Sequence, residues 1–178
     1  MKKLNLFYIL GFIIVSTSCS SIYGVSYDYN QNFDFAALKT YNWAPMSVKQ
    51  GEDTINLGRI KNAVNTELET KGFSLSSANP DFFVVTYVGK QQRTQVDYAP
   101  RPALGWGWGW GPYWGAPSVW QYEQGKLTLD FVDPQSKHLI WRGSAKADLS
   151  SATTPEKRMK IIDDAVQKIL QHFPPSSS

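Results

Sequence analysis

Asp130 and Asp133 stand three residues apart, close enough in sequence for two carboxylates to share acid and base work. That work needs a common cleft and two pKa values driven apart. The surrounding pattern argues against it. Asp130 falls on an alternating run, Lys126–Asp133, whereas Asp133 opens Asp133-Pro134-Gln135-Ser136-Lys137, a turn in which proline presets φ and aspartate bonds its own backbone. His138 follows that turn with no serine or cysteine nucleophile motif beside it. His172 falls in the last turn of a helix, where a cation suits the dipole. Both histidines read as structural. Arg142, in Trp141-Arg142-Gly143, fits either a cross-strand pair with Asp130 or a clamp on an anionic ligand, and the pair is favoured. One cysteine and two histidines exclude a disulfide framework and a thiolate zinc site. No catalytic residue, cofactor or metal ligand is assigned.

The composition has one anomaly. Four of the seven tryptophans lie between Trp106 and Trp114, in Leu104-Gly105-Trp106-Gly107-Trp108-Gly109-Trp110-Gly111-Pro112-Tyr113-Trp114-Gly115. The alternating glycines follow no strand and make no phosphate loop. In an extended chain Trp106, Trp108 and Trp110 share one face. Three roles fit them, together with Tyr113 and Trp114. The rings can pack on the protein's own sheet, anchor a protein or glycan partner, or dip into a lipid headgroup layer. The segment is too short and too rich in glycine to span a membrane.

The N-terminus explains the lone cysteine. Lys2 and Lys3 precede an uncharged, mostly apolar run, Leu4–Val15, too short for a bilayer core that needs roughly 20 helical residues. Ser16, Thr17, Ser18 and Cys19 follow. This layout resembles the lipobox of bacterial lipoproteins, although Ser16 occupies the position usually held by Leu, Val or Ile, with Val15 one place back. The resemblance implies a signal peptide over 1–18, acylation (palmitate-type) of Cys19 and a membrane anchor. The competing reading is an ordinary cleaved signal that leaves a free thiol. Two or more acyl chains anchor stably where one does so marginally. Ser20 and Ser21 follow the cysteine with no aspartate, which by the lipoprotein sorting rule implies the outer membrane, facing the periplasm. Cleavage would leave 160 of the 178 residues and lower the net charge from +3 to +1. The basic residues are scattered, so no nucleic-acid partner is expected.

The remaining pattern supplies the elements. After a tether over 19–24, strands are expected at Val25–Tyr29, with Val25, Tyr27 and Tyr29 on one side, and at Thr40–Trp43. Phe33-Asp34-Phe35 forms a turn between them. Leu57, Ile60, Val64 and Leu68 mark a helix capped by Thr54 or Asn56 and closed by Lys71-Gly72-Phe73. Phe82–Val88 reads as a strand buried on both faces, and Lys126–Asp133 with His138–Leu149 as a hairpin. Leu139, Trp141, Gly143, Ala145 and Ala147 share one face of its second strand. Thr154, Pro155 and Glu156 start a second helix with the stripe Ile162, Val166, Ile169 and Phe173. Residues 175–178 form a tail. The expected fold is one α+β domain over 25–174. It is a mainly antiparallel sheet with two helices on one face, in the order ββαβ-insertion-ββα, with the insertion near 90–121.

Tyr27-Asp28, Phe33-Asp34-Phe35 and Lys39-Thr40-Tyr41-Asn42-Trp43 come first in the motif order. Lys71-Gly72-Phe73, Asn79-Pro80-Asp81-Phe82, Gly125-Lys126-Leu127-Thr128-Leu129-Asp130 and Leu139-Ile140-Trp141-Arg142-Gly143 follow. Together they resemble the bacterial family called domain of unknown function 4136. The resemblance implies an envelope lipoprotein and supplies no activity. The resulting expectation is a non-catalytic binding or envelope-maintenance module, with the membrane as one partner through Cys19 and an envelope protein or peptidoglycan as another. The alternative is a hydrolase-like or glycan-processing envelope enzyme whose site carries no recognisable motif.

Overall fold

In a computed structural model of the protein, residues 21–45, 53–97 and 118–175 are described. Six strands form one sheet: β1 (Ile22–Tyr29), β2 (Thr40–Trp43), β3 (Ser74–Leu75), β4 (Phe82–Asp97), β5 (Ser118–Val132) and β6 (Leu139–Asp148). Their spatial order is β1-β6-β5-β4-β2-β3. The β1–β6, β6–β5 and β5–β4 pairs are antiparallel, and β2 runs parallel to both β4 and β3. Helices α1 (Thr54–Thr70) and α2 (Pro155–Leu170) cover one face. The α+β class and the mainly antiparallel sheet are as expected. The parallel β2–α1–β4 crossover and the two-residue β3 are additions that periodicity does not announce.

Local chemistry sets the helix ends. The Asp53 carboxylate, rather than Thr54 or Asn56, caps α1 by accepting from the Asn56 backbone N–H at 3.1 Å. At the other end Gly72 adopts φ 88°, so the Phe73 N–H reaches the Leu68 carbonyl at 3.0 Å and the Gly72 N–H reaches Glu69 at 2.9 Å. Thr154 caps α2 as expected, with Pro155 in its first turn. Ile161 is buried there and Ile162 only half-buried, which turns the expected stripe by one residue.

Several strand expectations change. β1 begins at Ile22, so residues 22–24 belong to the sheet rather than to a tether. Residues 90–97 and 118–121, placed in the insertion, continue the β4–β5 ladder from Lys90↔Gly125 to Asp97↔Ser118. β4 is buried on one face only. Phe82, Val84 and Thr86 point under the helices, whereas Tyr87 is 56% exposed, because among the described residues no layer covers the other face. A register shift between Phe131 and Val132 turns Leu139 outward and buries Ile140.

The core is densest where both helices end. Phe173, just past α2, meets Phe131 edge-on at 4.5 Å and packs on Phe73 and Trp141 at 5.3 Å. Phe131 also lies 4.9 Å from both Phe82 and Trp141. Phe33 and Phe35, expected to tuck under the sheet, pack against this cluster from a short 3-10 turn capped by Asp34. Gly143 is required here, since a Cβ would run into the Trp141 indole and an Ile169 methyl.

Candidate functional site: an apolar cleft between the helices and the sheet

Toward the other end of the interface the sheet changes its side chains. Across the helix-facing side of β4, β5 and β6, one row reads Val88, Leu127 and Ala145, and the next reads Lys90, Gly125 and Ala147. Beneath the first turns of α1 and α2 this face carries only small residues, Gly125, Ala145 and Ala147, with Leu149 packed over Gly125. A cleft of about 650 Å³ remains, within the range of about 300–1,000 Å³ usual for small-molecule sites. Leu57 and Ile60 of α1 form one wall, and Ile161, Ile162 and Ala165 of α2 form the other. Leu149 leans over Gly125, its Cδ1 lying 3.0 Å from where a Cβ would sit. Val88 stays 48% exposed within this recess, an apolar surface left open.

Several polar groups of the lining have partners. The Thr86 hydroxyl donates to the Thr128 carbonyl at 3.5 Å. Floor backbone groups are held in the β4–β5–β6 ladders. At the mouth, Lys90 pairs with Glu123 at 3.5 Å, and the Arg158 Nε–H donates to the Ala152 carbonyl at 2.9 Å. Asp53 is engaged as the α1 cap, and the Asn56 backbone N–H holds its carboxyl below the usual carboxylate range despite some burial. The first turns of both helices therefore border one recess with a mostly apolar interior.

The chain's start also arrives here. Ile22 is the register partner of Ala147 in the cleft floor, and the Asp148 N–H donates to the Ser21 carbonyl at 3.1 Å. Cys19 is two residues before Ser21. Cys19 itself, and Trp106, Trp108, Trp110, Tyr113 and Trp114, lie outside the described residues.

The other candidates are placed apart. Asp130 and Arg142 are register partners on the uncovered face, and the guanidinium grips the carboxylate in two bonds, Nε to Oδ1 at 2.6 Å and Nη2 to Oδ2. Asp130 is 5% exposed beneath it and pushes the guanidinium pKa further up, so the cross-strand reading holds. Asp133 does not join Asp130. Its carboxylate accepts from the Ser136 hydroxyl and from the Gln135 and Ser136 backbone, which hold it below the usual range. His172 stacks on Tyr27 with ring centroids 4.2 Å apart, and His138 is exposed beyond the turn. Among the described residues, no group of three or more His, Cys, Asp or Glu could hold a metal ion. Among them also, no helix is long and apolar enough to cross a membrane. Sequence reasoning missed the cleft. Its one signal was the run of small inward residues, Gly143, Ala145 and Ala147, beside Gly125.

Residues 25–175 match the family model described as domain of unknown function (DUF4136), and the chain belongs to that family. No curated protein matches it. Among solved structures, a PDZ domain protein from Parabacteroides distasonis superposes with a TM-score of 0.57 at 11% identity, over 88% of this chain and 36% of that one. The chain thus spans about a third of that protein's length. PelC from Paraburkholderia phytofirmans, crystallised as a dodecamer, gives a TM-score of 0.47 at 10% identity, over 83% of this chain and 95% of that one. The likeness to the first of these is one of fold.

Proposed function

We propose that this DUF4136 protein is a non-catalytic binding module of the bacterial envelope, tethered to the periplasmic side of the outer membrane through acylated Cys19. Its ligand is apolar and lies in the cleft between the helices and the sheet. The observation that carries this reading is the cleft itself. Its size suits a ligand, its interior is apolar, and Asp53, Lys90, Glu123 and Arg158 are engaged in a cap, an ion pair and a carbonyl bond. A carboxylate–carboxylate pair would favour chemistry, but Asp130 and Asp133 are bound separately. The anchor rests on the Leu4–Val15 run before a lone Cys19, and the sorting on Ser20 and Ser21. The Trp106–Trp114 segment is a second contact surface, toward a glycan, a protein or the headgroup layer.

Titrating the full chain with the uncharged dye N-phenylnaphthylamine tests the cleft. A saturable fluorescence rise is expected, weakened roughly tenfold or more by Val88→Lys, which sets a charge in an apolar recess. A rise unaffected by the variant overturns the cleft as the site. Mass spectrometry of the N-terminal peptide tests the anchor, which an unmodified Cys19 would sink. For the tryptophans, no shift or quenching of their fluorescence with liposomes or peptidoglycan fragments leaves only packing on the protein itself. Turnover of an envelope substrate, lost in Asp130→Asn or His138→Ala, would restore the enzyme reading.

A further inference from the structure

We propose that the occupant of the cleft is one acyl chain of a membrane phospholipid; this rests on the binding reading above and names its ligand class. The cleft floor has little hydrogen-bonding capacity to offer. The floor strands spend their backbone groups on their own ladders, and Thr86 donates to Thr128. A peptide inserted here would bury amide groups without partners, at a cost that hydrocarbon does not carry. The recess therefore suits a ligand whose buried part has no polar atoms.

The charges at the mouth select no headgroup: Lys90 and Arg158 stand there against Asp53 and Glu123, Lys90 paired with Glu123 and Asp53 engaged as the α1 cap. Placement near the membrane points the same way as the apolar interior. Ile22 lies beside Ala147 in the floor, and only Ser20 and Ser21 separate it from Cys19. A membrane anchor at Cys19 brings the cleft to the height of lipid headgroups, since each extended residue spans at most about 3.6 Å.

Native mass spectrometry tests this on the full chain released from membranes in mild detergent. One phospholipid is expected to stay bound non-covalently to the wild-type chain. The bound fraction is expected to fall roughly tenfold or more in Ala147→Trp, which fills the floor, and in Val88→Lys, which charges it. Thermal unfolding reports whether each variant is folded, and Val88→Lys changes an already exposed position. A wild-type chain without adduct overturns the proposal, whether the cleft is empty or holds the lipid of Cys19 itself. An adduct that survives both folded variants overturns it too, by placing the lipid elsewhere. The dye titration separates the two levels. Dye binding that Val88→Lys abolishes, without any phospholipid adduct, refutes the acyl chain and leaves the apolar cleft standing; loss of both refutes both.

Discussion

Where α1 and α2 end, Phe82, Phe131, Trp141 and Phe173 fill the space between helices and sheet ring against ring, and a single added methyl at Gly143 has nowhere to go. Where the same helices begin, the rows are built of smaller side chains and a cleft of about 650 Å³ stays open, with Val88 half-exposed in it. The strands and helices are continuous through both regions, and the side chains between them differ in size: large rings meet at one end and small aliphatic residues at the other.

Truncation breaks this contrast most sharply. Phe131→Ala removes a fully buried ring that touches Phe82, Trp141 and Phe173, and it is expected to cost about 3–5 kcal/mol. Leu57→Ala, in the half-exposed cleft wall, should cost less than about 1 kcal/mol and instead weaken dye or lipid binding. Urea denaturation of both variants checks the pair. Equal losses would mean that the cleft is closed and packed in solution.

Enlargement sharpens the contrast from the other side. Gly143→Ala forces the Trp141 indole and Ile169 apart and should destabilise by about 1–3 kcal/mol. Ala145→Val, two residues along the same face of β6, enlarges a buried position that borders the cleft and should cost less than Gly143→Ala. Denaturation midpoints decide between them, and a large loss in Ala145→Val would contradict the cavity.

The contrast was only half legible in the sequence, for a physical reason. Helical spacing in Leu57, Ile60, Val64 and Leu68, the Thr154-Pro155 start and the alternation of Leu127, Leu129 and Phe131 report which residues face inward. The structure places them so. The Asp130–Arg142 pair was legible as well, because opposed charges on adjacent hairpin strands have few other partners. Periodicity says nothing of how far away the opposing layer stands, so Ala145 and Ala147 read as ordinary core positions although a cleft lies above them. It also missed that one face of β4 is left uncovered by the described residues, since Phe83, Val85 and Tyr87 are apolar or aromatic enough to pass for buried residues. Asp53 was overlooked as a cap because Thr54 and Asn56, equally good capping types, stand beside it.

A smaller effect tests how the filled end is fastened. Asp81 precedes β4, and its carboxylate accepts from the Lys39 N–H at 2.9 Å, the Thr40 N–H at 2.8 Å and the Thr40 hydroxyl at 2.9 Å. The bond from Lys39 is the largest influence holding its pKa below the usual value, ahead of the opposing effect of burial. Asp81→Asn should cost about 1–2 kcal/mol at neutral pH, as expected for a charge-assisted bond partly open to water. A carboxyl depressed in the folded state contributes stability above its unfolded value, about 3.9, and loses it as pH falls through the folded one. The difference between wild type and variant should therefore shrink below about pH 4. Ligand binding in the cleft should not change.

The smallest effect lies on the alkaline side. Tyr41 is fully buried on β2, stacks on Phe82 at 5.9 Å, and donates its hydroxyl to the Asn65 Oδ1 at 3.1 Å. Burial, and secondarily the charge of Glu69, push its pKa up to about 12. A phenol near pKa 10 when unfolded and higher when folded contributes stability that is complete below about pH 10. That contribution is lost as pH rises through the folded value. Tyr41→Phe removes this alkaline decline. At neutral pH it should cost no more than about 1 kcal/mol, because Asn65 keeps the Trp43 indole N–H at 2.9 Å. Chemical denaturation across pH 9 to 11 reads the outcome. If the variant and the wild type lose stability in parallel there, Tyr41 is reached by water. The filled end would then be looser around β2 than around Phe131.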